Sequence, residues 1–401
     1  MNAHALFLGA NSSNSFHQGL LLPENVKKAL SDADRELREA IREAGERIKR
    51  RGQQMELATN SYRAANQQPI AFEVRFLLQG GLAYGTAVMP AQTPPQQSDR
   101  DTGVYVRTSF AARQEPGLAS QKLFELIESA ILPLCNLKGW KAERKDTCIR
   151  VELNCFLHID LPLYAIPDDA FEGLEKGFQD ATGEELTLNA TRMLSVMDEH
   201  RTLRLPSDRI MLAHDKKGWV QSDPRALHDW FDEQFGRYGA QVRRQSRYFK
   251  GWRDFSFEKK GPSSIFLMVC VANCYREGLV SADERRDDLA FYQISKALPE
   301  MMNEKVLNPV LSVPSALNDW TDIDRARFER AANTLSNTVG DAINGHFVPS
   351  ITVDRFQRAL GDRVPNRPDL VKVHSKVPEV SGPSLLVSKS ALPMTKRTTS
   401  G

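Results

Sequence analysis

The stretch "FEVRFLLQGGLAYG", residues 72 to 85, constrains the fold of this chain more than any other. Phe72, Val74, Phe76 and Leu78 alternate with Glu73, Arg75 and Leu77, the period of a strand with one buried face. The run ends in Gly80 and Gly81. Neither residue carries a Cβ, so backbone N–H groups there can come close to a bound group. A helix beginning near Leu82 would turn its positive end to the same point.

Asp99 and Asp101 follow in "SDRDTGVYV". Two residues apart on a strand, both side chains leave one face, with Cα atoms roughly 6 to 7 Å apart. Carboxylates that close repel each other unless a cation lies between them. Mg²⁺ is the natural candidate, a hard ion held by one or two protein carboxylates plus substrate phosphates, with Mn²⁺ a possible substitute. Two such ions, about 4 Å apart, would serve an attacking hydroxyl and a pyrophosphate leaving group. A third acid is then expected, and Asp160 in "HIDLPLYAIP" fits because it ends an apolar run, where a buried carboxylate needs a reason. Taken alone, a glycine pair is also a plain turn and an Asp-x-Asp also a solvated loop.

Elsewhere the chain divides by texture. Val26, Leu30, Ala33, Leu37, Ile41, Ala44 and Ile48 mark an amphipathic helix over 23 to 56, opened by Pro23. A second strand is predicted from Gly103 to Phe110, a helix from Lys122 to Leu134, and a third strand region from Cys148 to Ile166. Beyond about residue 225 long helical patterns dominate, including Ser263 to Glu277 closed by Gly278. The expected fold is therefore α+β, a small mixed sheet with a helical second lobe and the site in the cleft between them. The expected boundaries are 1–220 for the sheet lobe, 221–365 for the helical lobe and 366–401 for a flexible tail. A chain of 401 residues exceeds the size at which single cores stop growing, which agrees.

A net charge of +2 gives no broad attraction to nucleic acid or to an anionic membrane, and no obligatory nucleic-acid partner is expected. The five cysteines are odd in number and form no CxxC pair, which argues against a disulfide framework and a zinc site. Cys270 and Cys274 read as core residues of a buried helix. No signal peptide and no 18-residue apolar run is evident, so the expectation is a soluble cytoplasmic protein.

An apolar residue, two small residues, then Asp-x-Asp and a later Asp resembles the DNA polymerase β-like nucleotidyltransferases. More closely, "QGGLAYGTAVMPAQTPPQQSDRDTGVYV" and "HIDLPLYAIP" look like the cGAS/DncV-like nucleotidyltransferases of bacterial anti-phage (CBASS) signalling, in particular the DncV-type cyclic GMP-AMP synthases. The likeness runs from about residue 20 to 365. It implies that Asp99, Asp101 and Asp160 are the catalytic, Mg²⁺-binding acids, and that Gln79, Gly80, Gly81 and Tyr84 hold nucleotide. It implies further nucleotide contacts from Arg150, Ser222, Lys250, Ser263 and Ser264, with ATP and GTP or other NTPs as substrates and a cyclic di- or oligonucleotide as product.

The sequence departs from the pattern at Gly81, where DncV-type members usually carry Ser, and at Arg100 and Thr102, usually apolar. Arg100 should point to the opposite face of its strand. Arg150 could serve only if the chain turns near Asn154, because along one straight strand it would lie about 33 Å from Asp160. His158 shares the Asp160 face and reads as a structural neighbour. Arg243, Arg247 and Lys250 recur on one helix face, which could equally be solvated charge. Ser222 could instead cap a helix together with Asp223. The resemblance also implies a downstream effector and, through the terminal Gly401, possible conjugation by an E1–E2-like protein, although a free tail that happens to end in glycine is as consistent. A linear nucleotidyltransferase acting on RNA or a small hydroxyl, and a scaffold with a weakened site, remain open on the residues alone.

Overall fold

The computed structural model describes residues 1–9, 14–59, 72–111, 116–168, 171, 210–281, 283–345 and 348–373. Two short helices, α1 (His4–Leu8) and α2 (Phe16–Leu20), precede the long α3 (Glu24–Thr59). Strand β1 (Arg75–Gln79) runs directly into the four-residue α4 (Gly80–Ala83), and β2 (Ser98–Arg107) leads through α5 (Thr108–Ala111) and α6 (Pro116–Lys138) to β3 (Lys141–Arg144). Next come β4 (Cys148–Glu152), β5 (Leu157–Ile166), β6 (Met211–His214) and β7 (Gly218–Gln221). Helices α7 (Pro224–Tyr238), α8 (Ala240–Ser256), α9 (Ser264–Arg276), α10 (Asp287–Asn303), α11 (Asp322–Asn344) and α12 (Pro349–Leu360) follow.

The strands form one mixed sheet in the order β1-β2-β5-β4-β3, with β6 on β5 and β7 on β6. Only β2 and β5 pair in parallel among these strands. Ile159, Leu161, Leu163 and Ala165 of β5, with Val104 and Val106 of β2, pack against Leu30, Leu37 and Ile41 of α3 and Leu123, Phe124 and Ile127 of α6. The period of two then commits Asp99, Asp101, Asp160 and Tyr164 to the other face. One amphipathic pattern hides the hydrophobic side of the sheet and thereby presents its acids.

Two sequence-based boundaries are drawn differently by the structure. The strand region Cys148 to Ile166 is a hairpin, because the Asn154 carboxamide accepts a hydrogen bond from the Phe156 N–H at 2.8 Å and turns the chain. Residues 1–9 and 14–20 belong with the helical lobe: Ala3, Leu6, Phe7, Phe16 and Leu20 are buried among Tyr248, Phe291 and Phe356. Order also extends past 366, where Val371 is buried and Lys372 bridges to Asn2. The remainder of the expected tail, Gly401 included, lies outside the described residues. Cys270 and Cys274 are buried and free on α9, as their apolar setting predicts. No described helix is long and apolar enough to cross a membrane.

Candidate active site

Register brings the acids together. Asp101 pairs with Asp160 across the parallel β2–β5 ladder and with Gln79 across the antiparallel β1–β2 ladder. Neighbouring strands lie about 4.8 Å apart, so two acids far apart in sequence become lateral neighbours. Asp99 stands one pleat further out, opposite His158, and is exposed, while Asp101 and Asp160 are half-buried. Burial and the nearby charges of Asp99 and Asp160 push the Asp101 carboxyl up to about 8. Burial is the larger cause, and the crowding of three acids on one face adds to it.

The glycine turn abuts these acids directly. Gly80 has φ of 65°, and a Cβ built on it would stand 1.8 Å from Asp101 Oδ2. The position accepts only glycine, for both backbone and space. A Cβ added at Gly81 would lie 3.1 Å from the Lys250 ammonium and 3.2 Å from the Ala87 Cα. Lys250, on α8 of the helical lobe, donates to the Thr86 carbonyl at 2.8 Å. Burial lowers its pKa to about 8, with the charge of Asp99 opposing the shift. The Gly-Gly turn thus has acids on its sheet side and a cation on its helical side.

Asp160 is held by a forked bond, Arg150 Nε to Oδ1 and Nη2 to Oδ2, each 2.8 Å. The hairpin makes this possible by pairing the two residues directly across β4 and β5, which supplies the turn that a role for Arg150 requires. His158 Nε2 lies 3.8 Å from Asp160 Oδ2, and burial lowers the pKa of the imidazole, so it stands as a neutral neighbour.

Several expected contacts are turned elsewhere. The side chain of Gln79 is engaged within the sheet. It donates to Tyr105 OH at 2.7 Å and accepts from Tyr164 OH at 3.1 Å, fastening a tyrosine pair stacked at 4.8 Å. Gly103 makes room for it, since a Cβ there would meet Gln79 Nε2 at 2.2 Å. Tyr84 is buried against Phe231 and His228 of α7. Arg243 stacks over Phe235 and approaches Asp232 at 3.6 Å, and Arg247 donates to the Gly85 carbonyl, so the expected basic face is largely internal. Ser263 caps α9 through the Phe266 N–H, and Ser264 accepts from Arg253 at 2.7 Å. Asp223, not Ser222, caps α7, accepting from Arg225 and Ala226 N–H; the Ser222 side chain pairs with Tyr164.

Other residues that hold the site escape a reading of sequence alone. Gln96 donates to the carbonyls of Asp254 at 2.7 Å and Phe257 at 2.8 Å. A loop of the sheet lobe thereby satisfies the free end of α8, the helix that carries Lys250. Arg100 points to the core face as expected and meets Asp34 of α3 at 3.0 Å.

Among the described residues no group of three His, Cys, Asp or Glu is arranged to hold a metal ion, and the Asp160 carboxylate is engaged by Arg150. The donor set nevertheless suits a hard divalent cation. Asp99 and Asp101 offer only oxygen, and the raised pKa of Asp101 records a repulsion that such an ion would relieve.

A strand, a glycine turn, a short helix and acids shared between two adjacent strands, with a helical lobe closing over them, define a nucleotidyltransferase. Residues 74–164 match the nucleotidyltransferase domain of the DncV-like cyclic GMP-AMP synthases and residues 239–373 match the C-terminal domain of cyclic GMP-AMP synthase. A cyclic GMP-AMP synthase of Escherichia coli is 30% identical over 315 residues, covering 74% of this chain and 69% of that protein. One from Vibrio cholerae is 29% identical over 326 residues, covering 75% and 70%. The crystal structure of Vibrio cholerae DncV superimposes with a TM-score of 0.74 at 23% identity, over 93% of this chain and 99% of that one. Its complex with the linear intermediate 5′ pppA(3′,5′)pG gives 0.73 at 22% identity, over 93% and 98%. The chain belongs to the DncV-like cyclic GMP-AMP synthase family.

Proposed function

We propose that the protein joins two nucleoside triphosphates, ATP and GTP or a related pair, into a cyclic di- or oligonucleotide with release of pyrophosphate. The observation that carries this is the abutment of Gly80 on the Asp101 carboxylate, beside Asp160 on the neighbouring strand. Asp99, Asp101 and Asp160 would hold Mg²⁺, which when bound supplies charge compensation at the reacting phosphate and lowers the pKa of the acceptor hydroxyl. The Gly80–Gly81 turn gives a triphosphate a surface without side chains. Lys250 adds a fixed positive charge across it, a role suited to a compact ammonium. In each transfer a 2′- or 3′-oxygen bonds to an α-phosphorus, the hydroxyl proton is lost and the bond to pyrophosphate breaks. A second transfer within the linear product closes the ring.

The Vibrio cholerae structures support the substrate reading, since one holds a linear pppA(3′,5′)pG intermediate and another a nonhydrolyzable GTP. A cytoplasmic, anti-phage signalling role, a downstream effector and conjugation at Gly401 by an E1–E2-like protein belong to the same proposal, through the family. The Arg150–Asp160 fork favours one competing reading, a scaffold whose third acid is permanently neutralised. Incubation of labelled NTPs in pairs with Mg²⁺, then phosphatase and mass spectrometry, separates the two. A phosphatase-resistant cyclic product that Asp160→Asn fails to make is expected, and no turnover of any NTP pair with Mg²⁺ or Mn²⁺ would leave the scaffold.

A further inference from the structure

The inner end of β2 lacks a strand on one side. Pairing between β1 and β2 runs from Arg75 opposite Tyr105 to Gln79 opposite Asp101, and Ser98, Asp99 and Arg100 continue beyond it. On the other flank β5 pairs all three. Asp99 therefore sits on an overhang and is exposed there. Like charge from Asp101 on the same face pushes it outward.

A tether acts on the opposite face of that overhang. Arg100 alternates away from the acids and its Nη2 lies 3.0 Å from Asp34 Oδ2. Asp34 is wholly buried on α3, along the apolar stripe of Leu30, Ala33, Leu37 and Ile41, and its carboxylate also lies 3.0 Å from Arg38 Nε. Arg100 and Arg38 together bring two positive charges to the one buried carboxylate. A buried carboxylate is costly unless it is paired. Asp34 is thus bound to its guanidinium partners, and Arg100 is bound to the helix that backs the sheet.

We infer that Asp34 is a positioning residue for the acid pair: through Arg100 it fixes the overhanging end of β2 and so sets where Asp99 stands relative to Asp101. The inference rests on the reading of Asp99 and Asp101 as metal-holding residues. Asp34 touches neither substrate nor metal, and its effect passes through the backbone of residue 100.

The test measures Mn²⁺ binding to the full chain by electron paramagnetic resonance, at a temperature where circular dichroism shows each variant folded. Asp34→Asn and Arg100→Leu are expected to weaken Mn²⁺ binding about tenfold or more, the range typical of residues that orient metal ligands. Arg100→Lys keeps a charge for Asp34 and is expected to recover part of the loss. The double variant D34L/R100L removes the Asp34–Arg100 pair and leaves only the partly exposed Arg38 without its partner, which is tolerated far better than a stranded buried carboxylate. It should therefore stay folded yet still bind Mn²⁺ weakly, and it decides the matter if Asp34→Asn does not fold. Wild-type affinity in a folded Asp34→Asn, in a folded Arg100→Leu or in the double variant overturns the positioning role alone. A wild-type chain that binds no Mn²⁺ overturns the metal reading itself.

Discussion

The carboxylate of Asp101 occupies the place where a side chain on Gly80 would begin, with Oδ2 only 1.8 Å from an ideal Cβ at that position. The turn and the acid are fitted to each other. Gly80→Ala must both adopt a left-handed backbone, at about 1–2 kcal/mol for an L-residue, and drive Asp101 out of register with Asp160. Product formation is expected to fall by a hundredfold or more, since about 1 Å of misplacement is enough for such a loss. Single-turnover assays with a folded variant check this; turnover near the wild-type level would contradict the fitted geometry.

Gly81 poses a different problem, because the family's usual serine is absent and the Lys250 ammonium stands 3.1 Å from where its Cβ would be. The Ala87 Cα lies on the same side at 3.2 Å, so the lysine cannot simply be matched by a shift of backbone. Gly81→Ser should displace Lys250 from the Thr86 carbonyl and raise KM for the triphosphate several-fold. A double-mutant cycle with Lys250→Met should show a coupling of about 1 kcal/mol, within the range for residues in contact. Additive effects would mean that the two positions act independently.

Arg150 controls the third acid. Arg150→Gln removes both 2.8 Å bonds to Asp160 and leaves a half-buried carboxylate beside Asp101. Hydrogen bonds to charged groups are worth roughly 1.5–3 kcal/mol each when lost from one side, so the metal-free variant should melt several degrees lower. Mg²⁺ should restore more stability to it than to the wild type, because Asp160 would no longer have to give up its Arg150 bonds to serve as a metal ligand. Paired thermal scans with and without Mg²⁺ measure both terms, and an equal Mg²⁺ shift in the two proteins would argue against competition between Arg150 and the ion.

How much of this was legible depends on the reach of each interaction. The alternation of Phe72 to Leu78 and the helical stripe of α3 are local patterns; the helix forms where periodicity places it, while the strand forms only over Arg75–Gln79, with Phe72 and Val74 buried ahead of it. The strand predicted from Gly103 in fact begins at Ser98, because Ser98, Asp99 and Arg100 have little strand propensity of their own and are recruited by pairing with β5. Lys250 was read as a phosphate contact on a charged helix face, but its burial and its place against Gly81 depend on how the lobes meet. The resemblance places Gln79 in the nucleotide-holding segment, and its bonds to Tyr105 and Tyr164 come from strand pairing that no local pattern reveals. Arg100 had no partner in sequence, since Asp34 lies on another element and no spacing rule connects them.

The crowding of the acids predicts how metal binding responds to pH. The metal-free Asp101 carboxyl is raised from its ordinary value of 3.8 to about 8, first by burial and then by Asp99 and Asp160. A group whose folded pKa is raised favours the folded state most below its unfolded pKa, and that contribution is lost as pH climbs towards the folded one. Metal-free stability from this site should therefore decline between about pH 4 and pH 8. A divalent cation binds the ionised form and must displace the proton, so its apparent affinity should rise with pH up to about 8 and level off above it. Calorimetric titration with Mg²⁺ in two buffers of different ionisation enthalpy reads the released proton directly, with close to one expected at pH 6.5 and little at pH 9. Asp101→Asn should abolish the release and raise the metal-free melting temperature at neutral pH. If the wild-type protein releases no proton at pH 6.5, Asp101 is already ionised there and the acids are not crowded as the strand register implies.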